Sequence, residues 1–216
     1  SSSSAASDVY KRQPLSPIEA LIEADRCYFC YDAPCTTACP SDIDVPGFIQ
    51  SIRSDNLTGA AEKILSENIF GGMCARDCPT EELCQQACVR NDHEDKPVEI
   101  GLLQRYATDS VLNNGVKLFS RKKDTGKSIA VIGAGPAGIS CAHRLSVLGH
   151  NITVYDAKDK LGGLNEYGIA AYKSTDDFAQ QELDYILDIG GIKIETGMEL
   201  GKQITLENLQ KQFDAV

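Results

Sequence analysis

The chain has 216 residues, 42% of them apolar and 24% charged, and a formal net charge of -10. That acidic balance argues against a nucleic-acid surface, which gathers Lys and Arg against phosphates, and no run of eighteen apolar residues offers a membrane span. The length suits one or two domains, and the N-terminus lacks the basic-then-apolar order of a secretory signal, so the expected location is cytoplasmic.

Residues 1–13, "SSSSAASDVYKRQ", carry no apolar period and are expected to be a disordered or non-native tail. At Ser16 the pattern becomes interpretable. Ser16 stands at an N-cap, Pro17 at the first helical position and Glu19 where a capping box closes, so a helix delivers Cys27. Further on, Phe48, Ile49 and Ile52, then Ala60, Ile64 and Leu65, recur at helical spacing with a polar break near Asn56, which predicts a helical hairpin. A polar loop after Cys88 leads to Ile100, Leu103, Tyr106, Ala107 and Val111, one helical face ending at Gly115. Residues 14–120 are therefore expected to form a small all-α domain enclosing little apolar volume, held by something besides a hydrophobic core.

Eight of the nine cysteines lie in this region, in two groups. The first reads C-x2-C-x4-C-x3-C-P at Cys27, Cys30, Cys35, Cys39 and Pro40; the second reads C-x3-C-P-x4-C-x3-C at Cys74, Cys78, Pro79, Cys84 and Cys88. Disulfides would require an oxidising compartment. Structural zinc usually takes paired CxxC elements, and only one CxxC is present. A cubane cluster takes three ligands from a tight loop and a fourth from afar, and in two-cluster ferredoxins the cysteine before proline serves the other cluster. Both groups contain Cys-Pro, which points to two 4Fe-4S clusters. The x4 gap departs from the plain ferredoxin run, and spacing alone does not partition the ligands.

Residues 121–127, "RKKDTGK", read as a charged linker, and the pattern then turns to strand–helix–strand over 128–216. Gly133, Gly135 and Gly138 form G-x-G-x-x-G between strand and helix, where a backbone turn can approach a pyrophosphate. Asp156 closes the second strand, where a carboxylate accepts from ribose hydroxyls. Gly162 and Gly163 mark a second place where backbone passes close to something. Cys141, inside the first helix of this unit, is expected to be a small buried residue, and His93, His143 and His150 to be structural or solvated. A capped helix with Phe178, Leu183, Ile186 and Leu187 inward, the strand "IKIETG" and the start of another at "FDAV" follow. No second glycine fingerprint occurs, so the chain is expected to be an N-terminal fragment that lacks a hydride donor's domain and does not oxidise NAD(P)H by itself.

The cysteine spacing, "GAGPAG" and "LGGLNEYGIAAYK" together resemble the N-terminal half of the glutamate synthase small-subunit superfamily. Within it the chain is most similar to the small subunits of NAD-dependent dihydropyrimidine dehydrogenases, over nearly everything from residue 15 onward. The resemblance implies a multidomain protein: an all-α two-cluster iron-sulfur domain followed by a partial α/β Rossmann-like FAD-binding domain. Electrons would pass from NAD(P)H through FAD and two 4Fe-4S clusters to an FMN-containing large subunit that reduces uracil or thymine. The alternatives are a glutamate synthase small subunit serving a glutamine-dependent large subunit, and a zinc module on a flavoprotein; "GLNEYGIAAYK" and the glutamine of "IGLLQ" favour the pyrimidine enzyme. Carried over by position, one cluster takes Cys27, Cys30, Cys35 and Cys88, and the other Cys39, Cys78, Cys84 and the amide of Gln104, with Cys74 a bystander. For FAD the resemblance marks Gly133, Ala134, Gly135, Pro136, Ala137 and Gly138, then Asp156, Gly162, Gly163, Leu164, Lys173 and Leu200. Two positions depart from the pattern: Ala170 follows Gly168 and Ile169 where the family often has proline, and Asp156 replaces a longer glutamate.

Overall fold

The computed structural model describes residues 13–94 and 96–216, so all but the last residue of the expected tail lies outside the described residues. The chain divides into two compact units, the first running to Leu118 and the second from Phe119 to Val216.

In the first unit, helix α1 (Pro17–Asp25) opens on a complete capping box: Glu19 N donates to Ser16 Oγ at 3.4 Å and Ser16 N to Glu19 Oε2 at 2.8 Å. A short α2 (Pro34–Thr37) lies within the first cysteine group. The expected hairpin is α3 (Val45–Arg53) and α4 (Leu57–Glu67), whose N-caps Asp44 and Asn56 accept from Gly47 N and Gly59 N at 3.0 and 2.9 Å. Helix α5 (Gly71–Asp77), the single turn α6 (Asn91–Glu94) and the long α7 (Ile100–Asn113) complete the unit. The core is more substantial than the short helices suggest, because Ile43, Phe48, Ile49, Ile64 and Leu103 from four segments are all buried together. It stops at the cysteines: Cys27, Cys35, Cys39 and Cys88 are half-buried against its edge.

Helix α5 is not legible in the sequence, where "GGMC" reads as a turn. Tertiary packing makes it. A Cβ at Gly71 would stand 2.7 Å from Ile64 and 3.3 Å from Thr108, so only glycine lets α5 lie this close to α4 and α7. The buried Arg76 of α5 then donates from one nitrogen, Nη2, to both carboxylate oxygens of Asp109 on α7, at 2.8 and 3.0 Å, and from Nη1 to Gly72 O.

The second unit is a parallel sheet in the order β1-β2-β3, built from β1 (Ser128–Ile132), β2 (Asn151–Tyr155) and β3 (Ile192–Glu195). Helix α8 (Pro136–Val147) crosses from β1 to β2, and α9 (Leu164–Tyr167) and α10 (Phe178–Leu187) lead on to β3. On the free side of β1, Ile129 pairs in parallel with Ala215, so the final residues do start the next strand position. This puts β1 at a point where strand order reverses, the usual place for a ligand in an open α/β sheet.

Four readings of this unit are corrected. Residues 121–127 do not hang between domains: Arg121 donates to Gly149 O, His150 O and Asn151 Oδ1, and Lys122 N to Val147 O, which ties the segment to the second unit. Cys141 is exposed, because the inward line of α8 is Ile139, Ala142, His143 and Ser146. Helix α10 buries Glu182 in line with Phe178, Leu183 and Ile186, leaves Leu187 half-buried, and starts at a left-handed Asp177 that makes no side-chain cap. Helix α11 (Leu206–Gln212) went unread although Thr205 caps Asn208 N at 3.3 Å and Leu209 is buried.

Among the described residues no helix is long and apolar enough to cross a membrane. Asp109→Ala is expected to destabilise the first unit by about 3–5 kcal/mol, because it strips the bidentate carboxylate from a buried guanidinium; denaturant unfolding of the cluster-free chain followed by helical circular dichroism measures it.

Candidate functional site

Cys27 and Cys30 leave the end of α1, Cys35 sits in α2 and Cys88 precedes α6, yet all four line one pocket with Pro34, Val45 and Ile49. Arg26 precedes Cys27 in the chain. Its guanidinium donates to Glu23 Oε1 at 2.5 Å, to Pro97 O at 3.0 Å, to Glu94 Oε2 at 3.1 Å and to Lys96 O at 2.7 Å, joining the end of α1 to the stretch beyond Cys88. Burial pushes the Cys27 thiol up and the Cys35 thiol up to about 11. A set of thiols in an apolar cup suits a soft, thiolate-bound cluster.

The second group is built on α5 and α7. Cys78, at the end of α5, lies within electrostatic reach of Cys84 and Cys39 and hydrogen-bonds Cys74 one turn before it. That bond holds Cys78 protonated and draws Cys74 down to about 7, helped by Gln104 and Asn68. Cys84 is buried, which raises it to about 12. Gln104 is buried on α7 and its Nε2 donates to Gly71 O at 2.8 Å, so its carbonyl oxygen is the atom left to ligate a metal. Both candidates for the last position, Cys74 and Gln104, thus meet beside Cys78. Among the described residues no group of three or more His, Cys, Asp or Glu side chains is arranged for a single metal ion. Asn68, Arg90 and Tyr28 belong to these surroundings and were not singled out in the sequence; only Arg90, two residues after Cys88, carried a positional hint.

In the second unit the glycine turn is held from below. Gly133 N donates to Tyr155 O at 2.7 Å, and a Cβ on Gly138 would stand 1.9 Å from Gly133 O, so α8 packs directly on the turn. The helix follows the N-cap Gly135, which has no side chain to cap it, so its first turn is the kind of terminus that can receive an anion. What Gly163 approaches is Gly135 itself: a Cβ there would come within 2.7 Å of the Gly135 Cα. Gly162 N donates to Ala134 O at 3.0 Å and seals the two loops together. Asp156 is already engaged, since Oδ2 accepts from Ala134 N at 2.6 Å and Oδ1 from Lys158 N at 2.8 Å. A carboxylate has about four lone-pair directions, so capacity for a ribose hydroxyl remains. Leu164 is exposed at the start of α9 and Lys173 lies in the loop before α10. Leu200 follows Met198, whose N–H bonds Asp156 O at 2.8 Å.

Residues 5–116 match the family described as dihydropyrimidine dehydrogenase domain II, 4Fe-4S cluster, and residues 131–181 match an NAD(P)-binding Rossmann-like domain. The chain is 39% identical over 201 residues to the NAD-dependent dihydropyrimidine dehydrogenase subunit PreT of Salmonella typhimurium, covering 93% of this chain and 48% of that protein. The subunit of the same name from Escherichia coli strain K12 is 39% identical over 91% of this chain and 47% of its own length. The glutamate synthase (NADPH) small chain of Escherichia coli strain K12 is 33% identical over 94% of this chain and 43% of its own. The chain thus spans about half the length of the curated relatives it matches.

The raised thiols give a signed pH dependence. Cys35 and Cys84 keep their protons in the folded cluster-free chain up to about 11 and about 12, whereas unfolded thiols lose them near their ordinary value of 9.0. The folded state therefore binds more protons between these limits, and its stability falls as pH rises above that value. Urea midpoints of the cluster-free chain should drop from pH 8.5 to pH 10.5; a flat profile contradicts it.

Proposed function

The chain belongs to the dihydropyrimidine dehydrogenase domain II family of 4Fe-4S proteins, and we propose that it is the electron-entry part of a flavin and iron-sulfur oxidoreductase that feeds pyrimidine reduction. The observation that carries this reading is the gathering of Cys27, Cys30, Cys35 and Cys88, from both cysteine groups, around one apolar pocket. Cys39, Cys78 and Cys84, with Gln104, would hold a second cluster. When bound, the clusters would supply one-electron storage and a flavin would allow the two electrons of a hydride to leave singly. In an assembly like that of its relatives the electrons would start at NAD(P)H and end at an FMN-containing large subunit acting on uracil or thymine. The similarity to a glutamate synthase small chain makes a glutamine-dependent large subunit the alternative acceptor. A cytoplasmic setting accords with this, since it keeps thiols reduced for cluster assembly.

FAD is the dinucleotide proposed for the Rossmann-like unit. The Gly162–Gly163 loop seated on Gly135 surrounds the pyrophosphate position with backbone from two turns, and Asp156 retains room to accept from a ribose hydroxyl. Gly133 through Gly138 would cradle the phosphates, while Leu164, Lys173 and Leu200 would border the rest of the cofactor. Orientation of nicotinamide against flavin is worth roughly 7–11 kcal/mol of barrier where it is supplied, and a single glycine turn cannot seat both dinucleotides.

Anaerobic reconstitution should give about eight irons per chain, the sum of two cubanes; zinc in place of iron, with no absorbance bleached by dithionite, overturns the reading. In the same preparation Gln104→Leu should disturb one cluster and Cys74→Ser neither, and the reverse pattern makes Cys74 the ligand.

Flavin binding should weaken at least tenfold, about 1.4 kcal/mol, in Gly138→Ala, whose methyl group drives into the Gly133 carbonyl. Mixed anaerobically with NADH or NADPH, the flavin-loaded chain should bleach slowly and linearly with nucleotide; fast, saturable bleaching would reveal a nicotinamide site within these residues.

A further inference from the structure

Among the described residues, the wall of the first thiol pocket holds one charged side chain. Arg90 lines it together with Tyr28, Cys27 and Cys88. The guanidinium carbon sits over the Tyr28 ring, 3.9 Å from its centroid, and Nε donates to Arg26 O at 2.5 Å, so the head group is held from two sides. A cation on an aromatic face is held by the ring quadrupole, and more firmly when partly desolvated. Its carboxylate partner is Glu94, which also receives Arg26. The two ends of that pair differ in their access to water: the Arg90 side chain is 14% exposed and that of Glu94 40%. Water therefore screens the carboxylate more than the guanidinium, and the pocket feels a net positive field. The neighbouring Arg26 adds little to it, because Glu23, 11% exposed, pairs with Arg26 at 2.5 Å.

We propose that Arg90, clamped on Tyr28, is a positioning residue that sets the reduction potential of the cluster held by Cys27, Cys30, Cys35 and Cys88, which rests on the function proposed above. One-electron reduction adds one negative charge to a cluster already surrounded by thiolates. A fixed cation at the pocket wall stabilises that reduced form, and in an apolar surround the effect is weakly screened. The pair with Glu94 limits the size of the field and gives it a handle: removing the cation and removing the carboxylate must act in opposite directions.

The test is an anaerobic redox titration of the reconstituted 216-residue chain, read by electron paramagnetic resonance of the reduced clusters, with iron counted in every sample. In Arg90→Gln the reduced-to-oxidised ratio of one cluster should fall about tenfold at fixed ambient potential, a midpoint shift of about 59 mV for a one-electron couple, while the other cluster holds its potential. Glu94→Gln, which removes only the charge, should shift the same cluster the other way by a smaller amount. An unmoved potential in Arg90→Gln with iron retained, or shifts of the same sign in both variants, overturns the role of Arg90 and leaves the functional reading standing. Should Arg90→Gln fail to hold the cluster, Tyr28→Leu decides: releasing the guanidinium into water should lower the potential, and no change overturns the proposal. Wild-type chain that takes up no iron overturns the functional reading and this inference with it.

Discussion

The arrangement of the first unit depends on the fork of Arg26. One planar guanidinium meets Glu23 in its own helix and Glu94, Lys96 O and Pro97 O some seventy residues away. No lysine could do this, since an ammonium offers a compact charge and no rigid set of directions. Arg26 is the residue immediately before Cys27, and the stretch it grips follows Cys88. A contact between two loops is thereby converted into a fixed spacing between two thiols. Glu23 completes the latch by accepting Glu99 N at 2.9 Å, which sets where α7 begins and hence where Gln104 stands.

A second latch of the same chemistry serves the other thiols. Arg76 belongs to the turn of α5 between Cys74 and Cys78, and its partner Asp109 lies one and a half turns beyond Gln104 on α7. Arg105 bonds the same carboxylate at 3.2 Å. With Gly71 permitting close approach and Gln104 bonding its carbonyl, α5 and α7 are fixed along their length by a glycine contact, an amide and an ion pair. The Rossmann-like unit solves the equivalent problem without charge: its turn is positioned by backbone contact, Gly138 on Gly133 and Gly163 on Gly135.

These differences explain what could be read in advance. The capping box at Ser16, the faces of the α3–α4 hairpin and the strand–glycine–helix unit are local patterns, and each stands where the sequence places it. Helix α5 was hidden because glycine propensity is unfavourable and only packing against Ile64 and Thr108 overrides it. The tether of 121–127 was hidden because Arg121 finds its acceptors across the chain at 149–151, and charge in a sequence looks solvated until its partner is known. Cys141 was misplaced by a one-residue rotation on α8 that periodicity does not resolve at a helix start with three small residues. At the thiol sites the cysteines could be found by spacing, whereas the residues that grip their loops, Arg26, Arg76 and Arg90, are scattered and carry no motif.

The proposed ligand sets interleave: the last cysteine of the second group joins the first cluster, and the last of the first group joins the second. Each cluster would then close a long loop through the other group, and closure of long loops is what most reduces the entropy of an unfolded chain. Yet a cluster can staple the chain only after its thiols have met, and burial opposes the thiolate form they must adopt. The guanidinium latches resolve this order of events. They hold the loops together through guanidinium groups, so on the proposed reading buried thiols such as Cys35 and Cys84 would stand near one another while still protonated, and the incoming iron would displace their protons. On that reading the arginines would set the spacing of the loops, and iron-sulfur binding would lock a geometry that ion pairs already hold.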